Sequence, residues 1–124
     1  MAWFKAALTS IAMLFVVSDP ARSETLLIMF EEIGCPYCEQ WHEEVGVIYD
    51  KTTEAQVAQL IVQELDDPLP EGVVVGAEPY YTPTFVLVDD GREVGRIEGY
   101  PGEDLFWGML GLIMARLPDI PENS

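Results

Sequence analysis

The chain has 124 residues, enough for one domain, and its 49% hydrophobic content is ordinary for a globular protein. Six basic against 22 acidic residues give a net charge of −16. This balance argues against binding to nucleic acids, whose phosphates are neutralised by Lys and Arg, and against binding to anionic membrane surfaces. Macromolecular partners should be neutral or basic, although the acidity also suits a purely solubilising role.

Residues 1–23 are predicted to be a cleaved signal peptide. Lys5 supplies a basic start, residues 6–17 form an apolar run, and a polar stretch with small residues follows. The run is shorter than the ~20 apolar residues of a transmembrane helix, so a retained anchor is the weaker alternative. An apolar helix packed on the domain is the other alternative. We therefore expect an exported domain, residues 24–124, whose four basic and 21 acidic residues give a net charge of −17.

The mature chain is predicted to be an α/β domain with the element order β-α-β-β-β-α. The run TLLIMF suits a buried strand, and TFVLV and EVGRIEG flank an Asp-Gly turn as in a β-hairpin. Because a crossover helix joins the first two strands, these should be parallel, and the hairpin makes the sheet mixed. The predicted strands are residues 25–30, about 60–65 and two between 84 and 98, and the predicted helices begin at Pro36 and span 105–117.

The two cysteines of the chain, Cys35 and Cys38, lie two residues apart in the stretch GCPYC. A structural disulfide stabilises most when it closes a long loop, and this one would enclose only two residues. Zinc needs about four ligands, and the chain offers only this pair and His42, so no metal site is predicted. A redox-active pair is the favoured interpretation, ahead of two unreactive core cysteines.

The position of the pair predicts different roles for the two thiols. A helix that begins at Pro36 places Cys35 at its N-terminus, where free backbone N–H groups and the helix dipole favour a thiolate. Cys35 should be partly exposed there, and Cys38, one turn further on, more buried and protonated. Cys35 would then be the nucleophile and Cys38 the resolving thiol. The nearby carboxylates of Glu31, Glu32 and Glu39 oppose the thiolate unless they point to water.

A second motif, TPTF, places Pro83 directly before a strand. Only ~5% of the peptide bonds that precede a proline are cis in folded proteins, so this motif on its own predicts a trans Thr82–Pro83 bond. Together, however, Cys-Pro-Tyr-Cys after an apolar strand and TPTFVLVDDGREVGRIEGY resemble the thioredoxin superfamily over residues 25–117. The resemblance implies a thioredoxin-like fold, a cis Thr82–Pro83 bond beside the disulfide, and substrate binding by Thr82, Pro83 and the dipeptide Pro36–Tyr37.

The sequence departs from the family pattern at two points. Met29 stands six residues before the first cysteine, where thioredoxins usually carry a buried Asp, so proton transfer would need another group or water. Glu64 is a candidate for that role, although a plain surface glutamate is the favoured interpretation. The segment between Leu65 and Thr82 is also too short for the usual middle helix.

More narrowly, the chain resembles periplasmic thioredoxins encoded with bacterial sulfur-oxidation systems. This resemblance implies a disulfide reductase without a bound cofactor, a carrier protein with a sulfur-loaded cysteine as client, and an electron donor at the membrane. A dithiol oxidase and a reductant for cytochrome c maturation would use the same residues. The alternative from another class is a binding module whose cysteines stay oxidised and whose last helix docks a partner or a second copy.

Other residues carry weaker predictions. In the first helix Cys38, Trp41, Val45 and Ile48 fall on one face, which predicts that this face is buried. His42, four residues after Cys38, could approach the redox pair, but an exposed helical residue with nothing holding its ring is the favoured interpretation. Tyr80 and Tyr81 suit either a substrate groove or ordinary packing. The last helix is apolar almost all round, so it is either well covered or leaves an exposed patch for a partner or dimer, and the patch is the favoured interpretation.

Overall fold

The computed structural model of the protein describes residues 24–118 and the pair 11–12. Nearly all of the predicted signal peptide therefore lies outside the described residues. Within the part of the chain that is described, no helix is long and apolar enough to cross a membrane.

A four-stranded mixed sheet forms the centre of the domain, in the order β2-β1-β3-β4. The central strand β1 (Thr25–Glu31) pairs in parallel with β2 (Gln59–Glu64). On its other side β1 pairs antiparallel with β3 (Thr84–Asp89), which forms a hairpin with β4 (Arg92–Glu98). The mixed sheet confirms the predicted fold class, and each strand begins and ends within about a residue of its predicted bounds.

Helices cover one face of this sheet. The chain after the first cysteine forms α1 (Pro36–Trp41), a π-helical segment (His42–Gly46) and α2 (Val47–Tyr49) in one continuous stretch. The short α3 (Thr53–Val57) follows, and α4 (Glu103–Met114) comes after β4. The sequence did not predict α3, which begins where the Thr52 hydroxyl accepts a hydrogen bond from the Ala55 N–H at 3.2 Å. An aromatic group fills the core between helices and sheet: Trp41, Tyr49, Phe85, Phe106.

The π-helical segment changes which residues the first helix buries. The prediction that Ile48 lies on the buried face with Trp41 is wrong, since Ile48 is 38% exposed and Tyr49 is fully buried. The Val47 N–H bonds to the carbonyl of His42, five residues back, so this turn holds one additional residue. The next buried position therefore comes one residue later than α-helical spacing predicts.

The second face of the sheet is covered without a helix. Its buried side chains are contributed by β1 and β3, and include Ile28, Phe30 and Val86. The irregular segment of residues 65–83 packs over them, with half-buried Leu69 against the cluster. As expected from the length of this segment, the described chain has no middle helix here.

The strand pairing brings one end of each of the four strands together, and these strand ends form one edge of the sheet. Glu31 lies opposite Glu64, and Thr84 lies opposite both Phe30 and Glu98. The loop that carries both cysteines leaves β1 at this edge, and the Thr82–Pro83 step enters β3 there. We call it the cysteine edge, and the opposite one, where β2 and β4 begin, the far edge.

Candidate redox site

Cys35 is the residue at which the first helix begins. Its backbone is extended (φ −86°, ψ 106°), and Pro36 follows in the first turn. The Sγ of Cys35 accepts a hydrogen bond from the Cys38 N–H at 3.2 Å. This N–H is one of the donors that a helix start leaves without a backbone partner, and a bond from it stabilises negative charge on sulfur. The predicted positions of Cys35 and Pro36 are confirmed.

The two cysteines are joined in a disulfide with a Cα–Cα distance of 5.3 Å. Cys35 is 9% exposed and Cys38 is 2% exposed, which is the predicted order. Cys35 is nevertheless less open than a solvent-facing thiol, because it packs in the same apolar cluster as Cys38, Trp41 and Phe85. Little of the Cys35 side chain is therefore in contact with solvent.

The Thr82–Pro83 peptide bond is cis, as the family resemblance implied. The Pro83 carbonyl accepts a hydrogen bond from the Gly99 N–H at 2.7 Å, and the Thr84 hydroxyl donates to the Tyr81 carbonyl at 2.8 Å. These bonds fix the segment at the start of β3, the strand next to β1. The cis-proline loop and the cysteine loop thus leave adjacent strands at the same edge.

Exposed apolar side chains surround this edge. Ile33, two residues before Cys35, is 95% exposed, and Tyr37 and Tyr80 also face solvent. Tyr80 and Tyr81 stack edge to face with ring centres 4.7 Å apart, and the Tyr81 hydroxyl donates to a Glu98 carboxylate oxygen at 3.0 Å. Of the two interpretations of this tyrosine pair, a rim at the cysteine edge agrees with its exposure.

A family model described as a thioredoxin-like domain matches residues 18–113. The chain belongs to the thioredoxin-like family. It is also similar to the crystal structure of the periplasmic thioredoxin SoxS from Paracoccus pantotrophus in its reduced form. The two are 43% identical with a TM-score of 0.73, and the match covers 75% of this chain and 98% of that one. No functionally curated protein matched the chain.

The thioredoxin-like fold and the disulfide-forming pair together support a thiol–disulfide redox function in general. No group of three or more His, Cys, Asp or Glu residues within 24–118 is arranged to hold a metal ion.

The position of the usual thioredoxin aspartate is occupied here by Met29, which is fully buried. Glu64 is exposed at the end of the outer strand β2, and its proposed part in proton transfer stays a prediction. The carboxylate of Glu31, at the end of β1, has a defined partner, since its Oε2 lies 2.6 Å from Nε2 of His42. The expectation that nothing holds the His42 ring is therefore wrong.

Sequence reasoning missed this Glu31–His42 pair, although a signal for it exists. Glu31 shares one face of β1 with Leu27 and Met29, the face that α1 covers. His42 follows Cys38 by about one helical turn. A strand end and a helix face that pack together bring the two side chains into contact beside the cysteine loop.

The outer face of α4 is apolar and exposed, as predicted. Leu105, Met109 and Leu112 recur at helical spacing on it, and Leu112 is 72% exposed. The opposite face of the helix buries Phe106 and Leu110 in the core. The predicted core position of Trp41 is confirmed as well, because its side chain is fully buried.

Proposed function

We propose that this protein is an exported thiol–disulfide oxidoreductase that reduces disulfides of protein clients in the periplasm. The observation that carries the proposal is the geometry of Cys35, whose sulfur caps a helix and accepts the Cys38 N–H at 3.2 Å. The similarity to a periplasmic thioredoxin supports the compartment.

The reaction follows from the order of the two thiols. In the reduced protein the Cys35 thiolate attacks one sulfur of a client disulfide, and the other client sulfur leaves as a thiolate and takes up a proton. Cys38 loses its proton and attacks the Cys35 sulfur of the mixed disulfide, which releases the second client thiol. Two electrons pass to the client, and the Cys35–Cys38 disulfide remains.

The direction and the clients are the finer parts of the proposal. An oxidising compartment requires that the dithiol be regenerated, so we propose an electron donor at the membrane. The resemblance to thioredoxins of sulfur-oxidation systems supports a carrier protein with a sulfur-loaded cysteine as one client. Equilibration with glutathione separates a reductase from a dithiol oxidase, since the oxidase would stay reduced at potentials that oxidise a reductase.

Insulin reduction with variants of the two cysteines tests the proposal. The wild-type dithiol should accelerate insulin reduction over dithiothreitol alone, and Cys35→Ser should abolish the acceleration. Cys38→Ser should accumulate a mixed disulfide with client proteins, which mass spectrometry of non-reduced samples identifies. A wild-type rate equal to that of dithiothreitol, or a Cys38→Ser variant that traps nothing, would contradict the proposal.

One observation favours a second candidate, a binding module with a permanently oxidised pair. The exposed stripe of Leu105, Met109 and Leu112 offers a partner an apolar surface on the outer side of α4. Alkylation of the protein in cells of its source distinguishes the two candidates. An enzyme should be found partly as the dithiol, whereas a module should be found only as the disulfide.

A further inference from the structure

Lysine and arginine side chains are scarce at the cysteine edge. The Lys and Arg residues among 24–118 are Lys51, Arg92, Arg96 and Arg116, and the histidine among them, His42, is already in contact with Glu31. Lys51 follows α2, where the chain returns toward the start of β2, and Arg92 begins β4 at the far edge. Arg116 follows the end of α4. Three of the four cations thus lie away from the cysteines.

The fourth cation, Arg96, is already neutralised. Its guanidinium donates to both carboxylate oxygens of Glu93 at 2.6 and 3.1 Å, and it lies 3.8 Å from a Glu98 oxygen. The hydrogen bond from Arg96 lowers the pKa of Glu93, so the carboxylate stays ionised. Arg96 therefore has little charge to offer the remaining carboxylates of the cysteine edge, which belong to Glu32, Glu39, Glu64, Asp66, Asp67 and Glu78.

A groove opens beside the cis-proline loop on the face that lacks a helix. Its volume is about 400 Å³, and its walls include the apolar side chains of Phe30, Leu69 and Pro79. Carboxylates stand at the same groove: Asp66, Asp67 and Glu78. Residues 79–83 run from this groove to the cis-proline, so a segment bound along them would meet apolar contacts and negative charge together.

We propose that the cysteine edge selects clients whose reactive cysteine lies in an extended segment with an apolar neighbour and a nearby Lys or Arg. Ile33 and Tyr80, both exposed at the cysteine edge, supply apolar contact, and a client cation would neutralise those carboxylates of this edge that have no Lys, Arg or His partner. Acidic segments are repelled at the same place. A second copy of this chain is disfavoured as the occupant because it would bring the same acidic edge. The inference rests on the proposed redox function.

Three short peptides test the charge preference. Each carries one cysteine, next to a Leu, as a mixed disulfide with neutral 4-thiopyridine, and the three differ only in two flanking positions: Lys, Ser or Glu. The Cys35 thiolate attacks the peptide sulfur and expels 4-thiopyridone. Cys38 then displaces the peptide thiol, so two electrons leave the protein dithiol. Stopped-flow absorbance of released 4-thiopyridone gives the second-order rate constant.

At low ionic strength the Lys peptide should react about tenfold faster than the Ser peptide, and the Glu peptide more slowly still. The preference should shrink to roughly twofold to threefold at physiological salt, where fields reach only ~8 Å. Equal rate constants for the three peptides at low salt would overturn the inference but leave the redox function intact. Failure of Cys35 to react faster than a free thiol with the Ser peptide would count against the proposed function itself.

Charge reversals locate the preference on the molecule. Glu32→Lys and Glu78→Lys, both exposed and at the cysteine edge, should each lower the Lys-to-Ser rate ratio about threefold. Asp50→Lys, an exposed position after α2, makes the same change in net charge and should leave the ratio within about 30%. An equal effect of Asp50→Lys would show that only the overall charge matters and would overturn the proposal. If an edge variant fails to fold, the salt dependence of the wild-type ratio decides alone.

Discussion

The two faces of the sheet are built in different ways. On one face α1, the π-helical segment and α4 enclose an aromatic core in which Trp41, Phe85 and Phe106 contact one another. On the other face residues 65–83 cover the strands without regular structure and leave a groove. The helical face thus determines the geometry of the cysteines, while the irregular face leaves a groove lined by both apolar and acidic side chains.

The largest expected difference between the faces is in core stability. Leu110→Ala, a fully buried position of α4, should lower the free energy of unfolding by about 2–5 kcal/mol. Leu69→Ala, half-buried on the irregular face, should cost about 1 kcal/mol because the loop can close over the lost volume. Urea unfolding followed by circular dichroism measures both. Equal losses would mean that residues 65–83 are as tightly packed as the helical core.

A pair of glycines sharpens the comparison within the helical face. A Cβ on Gly95 of β4 would lie 2.7 Å from Cγ2 of Ile113 in α4, so Gly95→Ala should destabilise by about 1–3 kcal/mol. Gly111 in α4 has no atom within 4 Å of such a Cβ. Gly111→Ala should therefore stabilise by about 0.5–1 kcal/mol, since alanine favours the helix. A loss of stability in Gly111→Ala would reveal a close neighbour of that position in solution.

The loss of stability at alkaline pH should depend on Tyr100, which lies in the core of the helical face. Burial, together with the charge and hydrogen bond of Glu44, raises the pKa of Tyr100 to about 12. Because this lies above the value of an unfolded tyrosine, ~10, the associated stability is complete below pH 10 and is lost as the pH rises through 12. The free energy of unfolding of Tyr100→Phe should therefore fall less steeply between pH 10 and pH 12 than that of the wild type. The tyrosinate absorbance at 295 nm should lose the part that rises near pH 12, and an unchanged alkaline profile would contradict the assignment.

The smallest effect is expected where the sheet meets the first helix. His42→Ala and Glu31→Gln each remove or weaken the contact between these two side chains, which is partly open to water, so each should cost less than about 1 kcal/mol. The double variant should lose no more than the larger single loss, as for two side chains that act on each other. Strictly additive losses from urea unfolding would show that the contact contributes nothing in solution.

Much of the fold could be predicted because its signals are local. β1 is an uninterrupted apolar run, and Asp90 and Gly91 form the two-residue turn of the hairpin with φ of 51° and 80°. The short α3 and the π-helical segment could not be predicted, since neither has a distinct periodicity and each depends on tertiary packing.

The candidate site was predictable to a similar degree. The spacing of Cys35 and Cys38 after a strand, with Pro36 between them, is sufficient to place both thiols at a helix start. The contact between Glu31 and His42 requires the relative position of strand and helix, and the exposure of Ile33 requires the direction of the loop. Neither the relative position of strand and helix nor the direction of the loop can be inferred from a short motif.

The π-helical segment has a consequence for comparing this chain with other sequences. One additional residue in a turn rotates everything after it by about 100° relative to a regular helix. An ungapped alignment of this region with an uninterrupted α-helix would equate Ile48, at the surface, with a core residue of the other protein. A single-residue gap within His42–Gly46 restores the correspondence. Substitution scores at Tyr49 computed without that gap would describe the wrong environment.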